Sequence, residues 1–229
     1  MDFPVFLAIT PTQFAQFPCH SSHIAWMGCS FSPNHNGLCN LPSQLPQDSA
    51  LILTDETPPN GHDAQRIACE LQQIAGDLKC VAVVLDLQRC NNTETERIVD
   101  EILASLSCPV IVSESYAAGR QCGVLASPPL WTPLQAALRP WKGRPVWLEL
   151  AEESAMVTVT KDGSTLTPCT TFPEDPVFYD DILKLNYKTQ LQPGQFLVHL
   201  HRSSACLEAY KSLAAQLGVT AMLSLWNVP

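Results

Sequence analysis

Short apolar runs alternate along the chain with amphipathic stretches of helical period. The run Val81-Ala82-Val83-Val84-Leu85 is unbroken, which is typical of a strand buried on both faces, as in parallel sheets. Such strands alternating with helices are typical of βαβ units. The pattern predicts eight strands: Pro4–Ile9, Ile24–Phe31, Ala50–Thr54, Val81–Leu87, Pro109–Ser113, Gly123–Ala126, Val146–Leu150 and Ala221–Trp226.

Amphipathic stretches between these strands place apolar residues at helical spacing. Helices are predicted over Thr10–Phe17, Ala64–Ala75, Thr95–Leu106 and Ala205–Leu217. Asp63 is the predicted N-cap of the helix that follows it, and Gly218 the predicted C-cap of the last one. Thr93 and Glu96 together predict a capping box for the helix near residue 95.

Two regions depart from this alternation. Residues 33–49 are rich in Pro, Asn and Ser, so a loop is predicted where a helix is expected. Residues 154–202 predict antiparallel hairpins that turn at Lys161-Asp162-Gly163 and at Gln192-Pro193-Gly194. We interpret them as an insertion after the seventh strand. An alternative count places Phe196–His201 in the main sheet and leaves Pro4–Ile9 outside it as a plug.

The order of these elements predicts the fold class. Eight strands with intervening helices in 229 residues predict an α/β protein, a compact (β/α)8 TIM-type barrel with irregular helices. Both strand counts give one barrel domain over residues 1–229, with the antiparallel insertion near residues 154–202 inside it.

Composition narrows the classes of partner. The net charge is −9 with only 13 Lys and Arg, and no basic run occurs, so we predict neither a nucleic-acid nor a membrane partner. No stretch approaches the roughly 18 apolar residues of a membrane span. The ten cysteines include no Cys-x-x-Cys pair and are predicted to be reduced, which favours the cytoplasm. The pattern leaves the oligomeric state open.

Polar residues follow several of the predicted strands, where α/β barrels place their ligand sites. The carboxylates Asp55, Asp86 and Glu114 could supply a catalytic acid and base. No Gly-x-Ser-x-Gly elbow, glycine-rich phosphate loop or metal-ligand spacing occurs, so we predict no metal and no cofactor. The remaining candidates, which would bind a ligand, are Gln88, Arg89, Tyr116, Trp226 and Asn227.

The segment Val81–Gln88 resembles the fourth-strand signature of family 18 glycoside hydrolases, the chitinase-like barrels, which runs Asp-Gly-x-Asp-x-Asp-x-Glu. In that family the final Glu is the general acid, and the Asp before it orients the acetamido group of the substrate, which serves as nucleophile. The resemblance places this Asp on Asp86 and the catalytic Glu on Gln88. The earlier motif positions hold Val81, Ala82 and Val84.

Two further features carry the resemblance. Ala221–Trp226 resembles the eighth strand of these barrels, which ends in a Trp at the floor of the sugar site. The antiparallel insertion lies where many chitinase-like proteins carry a small α+β insertion. The chain as a whole also resembles a group of small bacterial barrel proteins without an assigned activity.

Gln88 decides what the resemblance implies for function, because an amide has no proton to donate as a general acid. We therefore hypothesise a catalytically degenerate, glycoside-hydrolase-like barrel that binds a carbohydrate or another small polar ligand. Two alternatives stay open. One is an active glycoside hydrolase that uses Asp55 or Glu114 with Asp86. The other is a protein-interaction scaffold whose working surface is the insertion.

Overall fold

The computed structural model describes residues 3–14, 23–90, 92–169, 172 and 177–225. Its strands are, in chain order, β1 (Val5–Ile9), β2 (Ile24–Phe31), β3 (Leu38–Cys39), β4 (Ala50–Thr54), β5 (Ala82–Asp86), β6 (Val110–Ser113), β7 (Gly123–Ala126), β8 (Val146–Leu150), β9 (Glu153–Thr160), β10 (Gly163–Pro168), β11 (Phe178–Asp180), β12 (Leu185–Gln192), β13 (Gln195–Arg202) and β14 (Ala221–Leu225). Its helices are α1 (Pro11–Phe14), α2 (Ala64–Asp77), α3 (Thr93–Ser105), α4 (Glu114–Ala117), α5 (Leu134–Leu138), a 3-10 turn at Arg139–Trp141, and α6 (Ser204–Gln216).

Eight parallel strands form a closed barrel. They follow each other around it in the order β1, β14, β8, β7, β6, β5, β4, β2, and the pairing of β1 with β2 closes the ring. The predicted TIM-type fold is therefore confirmed. The first strand count is also confirmed, because Val5–Ile9 lies in the barrel while the alternative strand, Phe196–His201, lies in a separate antiparallel sheet.

Each barrel strand is buried on both faces, which explains the unbroken apolar runs. In β5, Ala82 and Val84 pack in the cluster that fills the barrel interior, next to the stacked rings of Phe6 and Trp147. Val83 and Leu85 belong to the other cluster, which also contains the apolar faces of α2 and α3. Successive side chains of a strand point to opposite faces, so Asp86 continues the interior row of Ala82 and Val84.

The helix predictions hold with one correction. Asp63 caps α2 as predicted, since its side chain accepts from the Arg66 N–H at 2.8 Å. Gly218 follows α6 with a φ of 82°, the left-handed conformation expected after a helix end. The capping box at Thr93 is wrong. The N-cap of α3 is Asn92, whose side chain accepts from both the backbone N–H and the hydroxyl of Thr95.

Two further predictions, one of a loop and one of a helix, have outcomes. Residues 33–49 lack a helix, as predicted, and contain the two-residue strand β3 paired antiparallel with β2. The first helix extends over Pro11–Phe14, and the rest of its predicted length lies outside the described residues.

The described chain divides into two compact units, of which the barrel is one. The second comprises the described parts of Pro128–Pro140 and Leu150–Gly218. It contains a five-stranded antiparallel sheet in the order β10, β9, β13, β12, β11, so the predicted antiparallel insertion is confirmed. Gly163 and Gly194 both adopt positive φ at the predicted hairpin turns. The core of this unit is Leu130, Ala155, Leu185 and Leu200.

Candidate functional site

A pocket of about 340 Å3 opens at the carboxyl ends of β1, β2, β4 and β5. Parallel strands of a barrel end at the same rim, so residues distant in sequence meet there. Thr54 and Asp86 are register partners at the ends of β4 and β5 and both line the pocket. The other lining residues are Thr10, Pro11, Met27, Gly28, Asn40, Asp55, Glu56, Gln88 and Arg89.

Asp55 holds the turn that follows β5. One of its carboxylate oxygens accepts from the Gln88 N–H at 3.1 Å, and the other accepts from the N–H groups of Arg89 and Cys90 at 2.7 and 2.6 Å. Asp55 is only 3% exposed, so a buried charge is balanced by three successive backbone donors. This carboxylate acts as an anchor for the backbone of the turn.

The same turn is held from the β6 side as well. The hydroxyl of Ser113 donates to the Leu87 carbonyl at 3.0 Å and accepts from the Leu87 N–H at 3.3 Å. The hydroxyl of Tyr116 donates to the Cys90 carbonyl. We refer to Asp55, Ser113 and Tyr116 as the rim clamp. Because the rim clamp fixes the backbone of residues 87–90, it fixes the points from which the exposed side chains of Gln88 and Arg89 extend.

Asp86 and Gln88 form a side-chain pair in the pocket. The Gln88 amide donates to the Asp86 carboxylate at 2.7 Å. Burial raises the pKa of the Asp86 carboxyl above its ordinary value, and the nearby charge of Asp55 adds to this, while the Gln88 hydrogen bond opposes it. The structure therefore brings together four residues that the sequence predicted as site residues, because Asp55, Asp86, Gln88 and Arg89 all line this pocket.

Two other candidates lie outside this pocket lining. Glu114 begins α4, and its carboxylate accepts from the Trp141 indole N–H at 2.8 Å. Tyr116 is 1% exposed, and burial raises its pKa. Its hydroxyl belongs to the rim clamp, where it contacts protein backbone. Trp226 and Asn227 lie outside the described residues, so their part in the site stays a prediction.

Sequence reasoning missed two residues that shape the pocket. Gly28 lies where the register of β2 with β4 shifts, and a Cβ at this position would lie 2.7 Å from Cγ of Pro11. A glycine inside an apolar strand pattern is a known sign of such a close approach and could have been recognised. Asn40 has a φ of 56°, and its carbonyl accepts from the Trp26 indole N–H at 2.9 Å. No pattern in the sequence points to this conformation.

The described residues add three observations on other kinds of chemistry. No group of three or more His, Cys, Asp and Glu among them is placed to hold a metal ion. Nine cysteines within the described ranges are free thiols. None of the described helices is long and apolar enough to cross a membrane.

Comparison with solved structures identifies proteins of similar fold. An N-acetylglucosaminidase of glycoside hydrolase family 18 from Paenibacillus barengoltzii aligns over 99% of this chain and 95% of its own, with a TM-score of 0.62 and 8% identity. The spore cortex-lytic enzyme SleL of Bacillus cereus aligns over 99% of this chain and 71% of its own, with a TM-score of 0.58 and 10% identity.

A plant enzyme also has a similar fold. The class V chitinase of Nicotiana tobaccum aligns over 97% of this chain and 93% of its own, with a TM-score of 0.57 and 8% identity. A variant of it with glutamine in place of one glutamate was solved in complex with NAG4. Comparisons with protein families and with curated proteins give no match. At these identities the likeness shows the fold, a barrel like those of family 18 glycoside hydrolases.

Proposed function

We propose that this protein is a glycoside-hydrolase-like barrel that binds a carbohydrate at its carboxyl rim without hydrolysing it. The observation that carries the proposal is the pair of Asp86 and Gln88, joined at 2.7 Å inside the pocket. The resemblance places the general acid of the family on Gln88, and an amide cannot donate a proton to a leaving group. Its N–H and carbonyl groups remain able to hydrogen-bond sugar hydroxyls.

The rim clamp supports binding at this place. Ligand-binding side chains work best when their own backbone is held rigidly by surrounding hydrogen bonds. Here five hydrogen bonds from Asp55 and Ser113 fix the backbone from Leu87 to Cys90. The exposed Gln88 and Arg89 are the side chains that this turn presents to the pocket.

The neighbours of similar fold support a carbohydrate as the ligand. They include chitinases and an N-acetylglucosaminidase, and the Glu-to-Gln variant of the tobacco enzyme was solved with NAG4. Glutamine in a barrel of this kind is thus compatible with an oligosaccharide in place. Trp226, predicted at the end of the last barrel strand, would add an aromatic face to the sugar site.

The contacts of the other carboxylates favour binding over hydrolysis. An active hydrolase would need Asp55 or Glu114 to act with Asp86. Both oxygens of Asp55 accept from backbone N–H groups, so this carboxylate is already committed to holding the turn that carries Gln88. Glu114 accepts from Trp141 and is not among the residues that line the pocket.

Calorimetric titration with the N-acetylglucosamine tetramer tests this proposal, with a parallel assay for released sugar. We expect binding without turnover, and we expect Gln88→Ala to weaken it about tenfold, the effect of losing a polar contact to ligand. Gln190→Ala, an exposed glutamine of β12 in the second unit, is the matched control and should bind unchanged. Turnover by the unaltered protein, or binding that is indifferent to Gln88→Ala, would contradict the proposal.

The variant Gln88→Glu tests the same position in the other direction. It restores a carboxylic acid where the resemblance places the general acid, and we expect measurable release of sugar. Gln190→Glu, which makes the same change of charge at the control position, should release none. A Gln88→Glu variant that binds the tetramer but remains inactive would show that more than this one residue separates the barrel from catalysis.

A further inference from the structure

We propose that the carbohydrate bound at this rim carries a carboxylate and that the Arg89 guanidinium binds it. This inference rests on the proposed function and adds the class of sugar. Among the described residues that line the pocket, Arg89 is the cationic one, and its side chain is exposed. None of the ion pairs in the described part of the chain includes it.

The acidic residues around Arg89 leave its charge available. Asp55 is committed to three backbone N–H groups, including that of Arg89 itself. Asp86 is half-buried and accepts from Gln88. Glu56 lines the pocket, but no carboxylate oxygen of the described residues lies within 4.0 Å of the Arg89 guanidinium. By contrast, Arg120 is paired with Asp100 at 2.6 Å.

The backbone of Arg89 is held in place, which favours recognition over incidental exposure. Its N–H donates to Asp55 at 2.7 Å, so the guanidinium extends from a fixed point of the rim clamp. A protein with a net charge of −9 and only 13 Lys and Arg repels anionic ligands at long range. A cation in the pocket that forms no ion pair with any described residue offsets that repulsion locally.

The guanidinium and the surrounding groups together define the ligand. The planar fork of an arginine matches the two oxygens of a carboxylate. Thr54, Asn40 and Gln88 in the same pocket offer neutral donors and acceptors suited to sugar hydroxyls. A singly charged carboxylate also meets less repulsion from this acidic protein than a doubly charged phosphate ester does. A sugar that bears a carboxylate matches the arginine fork, the neutral hydrogen-bonding groups and the preference for a single negative charge.

The test compares two tetrasaccharides, the neutral N-acetylglucosamine tetramer and a chain of the same length in which glucuronic acid alternates with N-acetylglucosamine. We expect the acidic chain to bind the unaltered protein about tenfold more tightly at low ionic strength, the effect of one hydrogen-bonded charge pair. The preference should shrink as salt is added, because the charges are exposed. Equal affinity for the two chains would overturn the inference and leave the proposed function standing.

Variants of Arg89 complete the test. Arg89→Gln should abolish the preference while the neutral chain still binds, and Arg89→Lys should restore part of it by keeping the charge without the fork. Arg66→Gln, an exposed arginine of α2, is the matched control and should keep the full preference. A preference that survives Arg89→Gln would refute the inference. So would displacement of the acidic chain by equimolar acetate or inorganic phosphate, since Arg89 would then bind anions irrespective of sugar. If neither chain binds, the proposed function itself fails.

Discussion

Replacing Asp55 by asparagine tests whether this carboxylate holds the turn after β5. An asparagine keeps one acceptor oxygen, which in its better orientation still serves Arg89 and Cys90, the two closest donors at 2.7 and 2.6 Å. Its amide nitrogen then faces the Gln88 N–H, which loses its partner. Converting two charge-assisted bonds to neutral ones costs about 1 kcal/mol each, and leaving the partly buried Gln88 N–H without a partner costs about 1–3 kcal/mol. We expect the free energy of unfolding to fall by about 3–5 kcal/mol.

Urea denaturation followed by circular dichroism measures this loss, and amide hydrogen exchange locates it. Protection should fall at the amides of Gln88, Arg89 and Cys90, and it should stay unchanged in the second unit. The control is Asp63→Asn, the same substitution at the N-cap of α2, where asparagine caps about as well and stability should change by a few tenths of a kcal/mol. A loss below about 1 kcal/mol for Asp55→Asn, against the charged-bond values above, would refute the anchoring role.

Three further predictions concern the pocket and the thiols. The raised pKa of Asp86 means that its ionised form is penalised in the folded state, so the wild-type protein loses stability as pH rises from the ordinary Asp value of about 3.9 through the raised one. Asp86→Asn should therefore be more stable than wild type at neutral pH in thermal denaturation, with the gain absent at acid pH. Gly28→Ala should lower the free energy of unfolding in urea by about 1–3 kcal/mol and weaken glycan binding, because the new Cβ would lie 2.7 Å from Cγ of Pro11. The control is Gly76→Ala, in a helix with open space around the new Cβ, which should stabilise the protein slightly. Iodoacetamide at neutral pH should label the exposed Cys69 well before Cys80, whose pKa burial raises to about 11. Rapid labelling of Cys80 in the native state would contradict its burial.

The barrel could be predicted from the sequence because its strands are buried on both faces, and such burial leaves continuous apolar runs in the sequence. Val83 and Leu85 pack under the helices while Ala82 and Val84 fill the interior, so β5 is apolar on both faces and appears as an unbroken run. The antiparallel hairpins were equally visible, since their turns require residues that tolerate positive φ, and Gly163 and Gly194 supply them.

The error in the capping prediction comes from competition between residues that local patterns cannot rank. Asn92 and Thr93 are both good caps, and Thr93 has the glutamate that a capping box needs. Asn92 caps instead because it bonds both the N–H and the hydroxyl of Thr95, which is buried. The role of Asp55 as a backbone anchor was invisible for a different reason, which is the distance along the chain to its partners. Its three partners lie more than thirty residues further along the chain, and only the pairing of β4 with β5 in the barrel brings them together at one rim.

Under the proposed function, the hydrogen bond between Gln88 and Asp86 lets position 88 lack an acid while the pocket keeps its shape. A glutamate at position 88 in the same conformation would place two carboxyl groups 2.7 Å apart, beside the further negative charge of Asp55. Two such groups cannot both ionise, so they would share a proton whose release is shifted to higher pH, as a general acid requires. Glutamine supplies a permanent N–H in place of that shared proton. The contact to Asp86 therefore survives at every pH, and the rim clamp and pocket need no rearrangement. Under the proposed function, glutamine at position 88 removes the transferable proton while the contact to Asp86 and the geometry of the rim are kept.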